Sequence, residues 1–123
     1  MIYWVRSFRG FVLVNEEAVV MNISEDDWKI WKALRLRTID KFCHTTFERV
    51  QQLAAAEKPI HDRHRELYQL VTGRDREIEQ LFDPLTRSRS VLQLRVLYMN
   101  GLVSDDEISL FSEDLQSICR RNI

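Results

Sequence analysis

Residues 59–82 read PIHDRHRELYQLVTGRDREIEQLF, and the spacing of apolar side chains within them decides the fold class. Ile60, His64, Leu67, Val71, Arg74, Ile78 and Leu81 recur at steps of four and three. That period is the seam of a long amphipathic helix with a partner along one side. Gly73 interrupts the pattern at a cost of roughly 1 kcal/mol relative to Ala. The phase survives it, because Val71 and Ile78 stay in register. One continuous helix is therefore expected, with a kink at Gly73 as the variant. Pro59 suits the first turn, where its missing N–H costs nothing.

On the N-terminal side, Ser24-Glu25-Asp26-Asp27 opens another helix. A hydroxyl stands at the N-cap and three carboxylates lie in the first turn, where the helix dipole favours them. Trp28 and Trp31 lead into a stripe of Leu36, Ile39, Cys43, Thr46, Val50 and Leu53. Ala54-Ala55-Ala56 adds helix propensity, so this element is expected over 24–56, with a bend near Arg37-Thr38 tolerated.

On the C-terminal side, Asp83-Pro84 ends the seam helix and starts the next, over 84–99, with Asp83 as cap and Pro84 at its first position. The run VLQLRVLYM, Val91–Met99, is broken only by Gln93 and Arg95. Its alternation keeps a strand as a rival, but a helix apolar on most of its circumference would sit at the centre of a core. Asn100-Gly101-Leu102 fits a left-handed helix end. Ser104-Asp105-Asp106-Glu107 is a capping box, followed by the stripe Ile108, Phe111, Leu115 and Ile118 and by Arg120 and Arg121, so a last helix is expected over 104–121. Residues 1–23 are rich in Val, Ile, Phe, Tyr and Trp, which suit a pleated surface, with turn points at Arg9-Gly10 and Asn15-Glu16-Glu17. A helical reading of that stretch is the alternative.

The expected fold is mainly α, one domain of residues 1–123: an antiparallel bundle of about four helices with a small N-terminal β-hairpin or meander. At 123 residues, with 45% hydrophobic and 30% charged positions, the chain can bury a core without disulfides or metal. The net charge of −1 supplies no general attraction for nucleic acid or anionic membranes. Cys43 and Cys119 lie far apart on apolar stripes and read as buried free thiols. The longest apolar run near the start, Phe11–Val14, is too short for a signal peptide or a membrane span, so a cytoplasmic protein with no membrane partner is expected.

His61 and His64 lie three apart and share one helical face, with Glu57 before them. A metal needs three or four converging ligands, and His44 on the preceding helix is the candidate third, with Glu48 or Glu57 as the fourth. That set, His44, His61 and His64, would suit a metal-dependent bundle enzyme. The plainer reading packs His64 in the seam and leaves His61 in solvent, with no cofactor. No glycine-rich phosphate loop and no local nucleophile–base pair is present, so catalysis is not expected. A helix-turn-helix over Leu92–Leu115 fails because its recognition helix would carry five acids, Asp105, Asp106, Glu107, Glu113 and Asp114. Arg63, Arg65, Arg74, Arg76, Arg87 and Arg89 make a better nucleic-acid face, yet acids interleave with them, and nucleic-acid binding is not the favoured reading.

Three Trp and nine other aromatics are more than a small bundle hides easily. The expected role is a non-catalytic protein that binds another protein, with a homodimer as one form of that. Trp4, Phe8, Phe11, Trp28, Trp31 and Arg74 are the candidate contact residues. Arg74 is singled out because a charge in the seam beside a glycine means either a kink or a buried pairing.

Overall fold

The computed structural model describes residues 23–121 in full, and of residues 1–22 the backbone of Ile2–Ser7 and Gly10–Asn15 alone. The chain is mainly helical. Its helices are α1 (Glu25–Ala55), α2 (Ile60–Phe82), α3 (Arg87–Met99), α4 (Asp105–Ile108) and α5 (Glu113–Arg120). The strand segments β1 (Ile2–Ser7) and β2 (Gly10–Asn15) pair antiparallel, with Val5 opposite Val12 and Ser7 opposite Gly10.

The starts of α1 and α4 are written locally. Ser24 Oγ accepts the Asp27 amide at 3.1 Å, which fixes the start of α1. At α4 the Ser104 hydroxyl accepts the Glu107 amide at 3.1 Å while a Glu107 carboxylate oxygen accepts the Ser104 amide at 3.0 Å. That is the reciprocal pair the sequence called for. The end of α3 is equally specific. Gly101 has φ 75°, and the amides of Leu102 and Gly101 donate back to the carbonyls of Leu97 and Tyr98 at 2.9 and 3.1 Å. Glycine adopts that left-handed conformation without a side-chain clash.

The core gathers Trp31, Leu34 and Phe42 of α1, Leu81 and Phe82 of α2, and Val91 to Leu97 of α3. Val103, Ile108, Phe111, Leu115 and Cys119 close it from the C-terminal side. Eight consecutive residues of α3, Ser90–Leu97, are buried, so this helix is central and the strand reading of Val91–Met99 is set aside. Its polar members turn to backbone: Gln93 Nε2 donates to Pro84 O at 3.2 Å, and Arg95 Nη2 donates to Arg121 O at 3.0 Å.

Four expectations are corrected. The buried stripe of α1 runs through Trp31, Leu34, Thr38 and Phe42, whereas Leu36 is 63% exposed. Stepping by three and four from Trp28 or from Trp31 gives two neighbouring stripes, and packing against Phe82 selects the second. The helix expected over 84–99 begins at Arg87, with Thr86 as N-cap and Pro84 in the connection. The helix expected over 104–121 is two, because Ser112 caps a fresh start by accepting the Leu115 amide at 3.4 Å. Pro59 stands one place earlier than expected, as the N-cap of α2. Gly73 does not break α2, which is continuous.

The helices differ in length, and this positions the surface described next. At 1.5 Å per residue, α1 (31 residues) spans about 46 Å, α2 (23 residues) about 35 Å, and α3 (13 residues) only about 20 Å. The first two therefore overhang the third. No described helix is long and apolar enough to cross a membrane.

Candidate interaction surface

The distal half of α1 and the proximal half of α2 form an antiparallel arm that projects beyond α3. Arg63 Nη1 donates to Ala54 O at 2.6 Å near the tip, and Arg74 Nη2 donates to Phe42 O at 2.7 Å at the base. Between Phe42 and Arg74 not one residue is buried. A two-helix pair covers only the line where the helices touch, and a third element is needed to cover the rest of the seam. Here α3 supplies that element at the base, and β1 also lies against α2.

The bare face is apolar. Phe47 is 68% exposed, Ile60 72% and Tyr68 69%, and Leu67 and Val71 are exposed beside them. Val50, Leu53, Ala54, Ile60, Arg63, His64 and Leu67 line a shallow groove of about 310 Å³ between the two helices. Ile60, Leu67 and Val71 are seam positions by their spacing, on the same stripe as Ile78 and Leu81. Leu81 is buried and Ile78 packs against the core. One stripe is thus core at one end and open at the other.

Arg74 marks the junction. It is buried, with its guanidinium carbon 3.5 Å from the centroid of the Phe42 ring. Nε donates to Thr46 Oγ1 at 2.8 Å, and Nη1 stands 3.4 Å from Glu77 Oε2. Burial, with the Arg49 charge nearby, pulls its pKa below the ordinary guanidinium value, while Glu77 acts in the opposite sense. The Phe42 ring in turn meets Phe82 edge-on, centroids 6.0 Å apart. Arg74 therefore pairs within the chain and acts as the clasp of α1 to α2. It is not an exposed contact residue.

The other expected contact residues divide. Trp31 is fully buried in the core and is corrected from surface to interior. Trp28 is half-buried, with Lys32 and Arg87 each about 5.5 Å from its ring. The side chains of Trp4, Phe8 and Phe11 lie outside the described residues. Phe47 and Tyr68 were missed because neither lies on the stripes that the spacing picks out: Phe47 is about 140° around α1 from Phe42, and Tyr68 is next to the seam position Leu67.

The three histidines are not brought together. Arg63 is level with Ala54, so His44, ten residues earlier on α1, lies about 15 Å along the helix from His61 and His64. All three are exposed, His64 included, which corrects its expected packed position. Among the described residues no group of three or more His, Cys, Asp or Glu could hold a metal ion. The six arginines of the basic face are also dispersed in role. Arg63 is tied to the Ala54 and Lys58 carbonyls, Arg74 is buried, and Arg87 pairs with Glu25.

No family model, no curated protein and no solved structure matches the chain.

Proposed function

We propose that this protein is a non-catalytic protein–protein interaction module whose contact surface is the bare face of the α1–α2 arm. One observation carries the reading: 31 consecutive residues, Cys43–Gly73, contain no buried position yet expose five large apolar side chains. Isolated exposed leucines need no explanation, but a contiguous apolar face on a projecting helix pair usually marks a binding site. In this reading the helical body is an antiparallel bundle of about four helices that anchors the arm. The N-terminal β element, with Trp4, Phe8 and Phe11, is a second contact zone. The free thiols Cys43 and Cys119 suit a reducing compartment, and we take the module to be cytoplasmic.

The test is photo-cross-linking in cells, with a photoreactive phenylalanine analogue at Tyr68 and, as control, at Leu110. Both positions are exposed, but Leu110 lies off the arm. Discrete protein adducts at Tyr68 and not at Leu110 are expected. Equal labelling at the two sites, or none at Tyr68, overturns the reading.

A further inference from the structure

We propose that the cavity between the end of α3, the start of α4 and the end of α5 binds a phosphate group, with Arg95, Arg120 and Arg121 as its cations. The site takes no residue from the α1–α2 arm and goes beyond the interaction reading.

An unpaired buried charge carries the inference. Arg95 of α3 is 1% exposed, yet its Nε and Nη1 have no acceptor among the described residues. Those two nitrogens carry three N–H donors. Nη2 alone is engaged, donating to the Arg121 carbonyl at 3.0 Å. A buried cation is ordinarily paired with an anion, and one carbonyl dipole is a poor substitute. The neighbouring thiol does not fill that role. Burial pushes Cys119 up to about 12, so it stays protonated and neutral near neutral pH. Burial also pulls the Arg95 pKa below the ordinary guanidinium value.

Open space lies next to this guanidinium. A cavity of about 610 Å³ has Tyr98, Ser104, Asp105, Cys119, Arg120 and Arg121 in its lining. Cys119 and Arg121 belong both to that lining and to the surroundings of Arg95, and so form the wall between the two. Nε and Nη1 have no accessible surface, so an anion reaches them by turning the Arg121 carbonyl aside. Arg121 stands just past α5 with extended backbone, φ −71° and ψ 131°, and its carbonyl is outside the helical ladder. Nothing in the helix has to unwind for that turn.

Charge names the ligand class. Three guanidiniums face one carboxylate, Asp105, which Tyr98 Oη and Arg120 already engage. The surplus is two positive charges, and a phosphate group carries close to two negative ones at neutral pH. Guanidiniums hold phosphate oxygens through charge-assisted hydrogen bonds, often in pairs. The volume admits either free phosphate or a small organic phosphate.

Nuclear magnetic resonance of the full chain tests the proposal. The chain is titrated with inorganic phosphate and, separately, with glycerol phosphate, each against sodium chloride of equal ionic strength. The Arg95 Nε–H signal, assigned through its own side-chain bonds, should shift and saturate with phosphate. Arg121→Gln should weaken binding by about tenfold, the loss of one charge-assisted bond. Arg95→Met should abolish the saturable shifts at the Cys119 and Arg121 amides. Tighter binding of glycerol phosphate would identify an organic phosphate as the source, and equal binding free phosphate; either upholds the site. An Arg95 signal that does not move overturns it, as does a shift that chloride reproduces or binding that survives Arg95→Met. Should Arg95→Met fail to fold, the Arg95 signal of the parent chain still decides.

Discussion

Asp27 Oδ2 accepts the Ser112 hydroxyl at 2.6 Å, and Asp27 Oδ1 accepts the Ser112 amide at 2.9 Å, across 85 positions of sequence. Asp27 is buried, and the same hydroxyl accepts the Leu115 amide. The pair joins the first turn of α1 to the first turn of α5 and holds the C-terminal segment against the core. Asp27→Ala should cost about 2–4 kcal/mol, since it strips a charged acceptor from two donors in a dry site. Ser112→Ala should cost about 1–2 kcal/mol. Urea unfolding of both and of the double variant measures their coupling, expected to be clearly non-zero. Simple additivity would show that the two act separately.

Gly73 sits mid-helix, and a Cβ built there meets nothing within 4 Å. Gly73→Ala should therefore stabilise the protein by about 1 kcal/mol through helix propensity and a less flexible unfolded chain. A Tm rise of roughly 3–5 °C by calorimetry is the expected reading. A fall would reveal a need for glycine at this point.

Arg74 separates packing from pairing. Arg74→Ala empties the slot over the Phe42 ring and should cost about 2–4 kcal/mol. Arg74→Met fills the slot without the charge and should come within about 1 kcal/mol of the parent, because a buried cation is costly to desolvate. Equal losses in the two variants would assign the stability to the bonds to Thr46 and the Phe42 carbonyl.

Glu107 gives a pH signature. Burial pushes its carboxyl up, but the Ser104 backbone and hydroxyl bonds and the Lys41 charge outweigh this and hold it below the ordinary 4.5. A lowered folded value means that the contribution is complete above the unfolded value and is lost as pH falls through the folded one. The stability gap between parent and Glu107→Gln should be constant from neutral pH down to about the ordinary carboxylate value and close below it. A gap that does not change in acid would count against the capping role.

The two thiols should differ in reactivity. Burial pushes the Cys119 thiol up to about 12, whereas Cys43 is half-buried. Maleimide at neutral pH should label one thiol quickly in the native protein and both in denaturant.

Much of the helical plan was legible because it is written in short-range chemistry. The Ser104 capping box, the Gly101 end of α3 and the passage of α2 through Gly73 each depend on a few adjacent residues. The break between α4 and α5 was not legible, since Ser112 begins a helix with the help of Asp27, far away in sequence. Arg74 was visible as an anomaly of the seam, but what ties it to α1 is a ring, a hydroxyl and a carbonyl, which no charge pattern encodes. The surplus of aromatics pointed to an exposed face and to the wrong members of it. Trp31 is large and apolar enough for the core, whereas Phe47, five residues past Phe42, turns about 140° away from the buried stripe of α1 and faces outward.

The Phe42–Arg74 contact has a consequence for motion. Proximal to it, opening an amide means breaching packed side chains. Distal to it, the arm has few buried contacts to resist separation, and its amides can open without disturbing the rest. The molecule is thus two cooperative units sharing two helices, with hydrogen exchange expected to step sharply at that ring and guanidinium. Occupation of the bare face would fuse the units, and slowed exchange across residues 43–73 would be its most direct record.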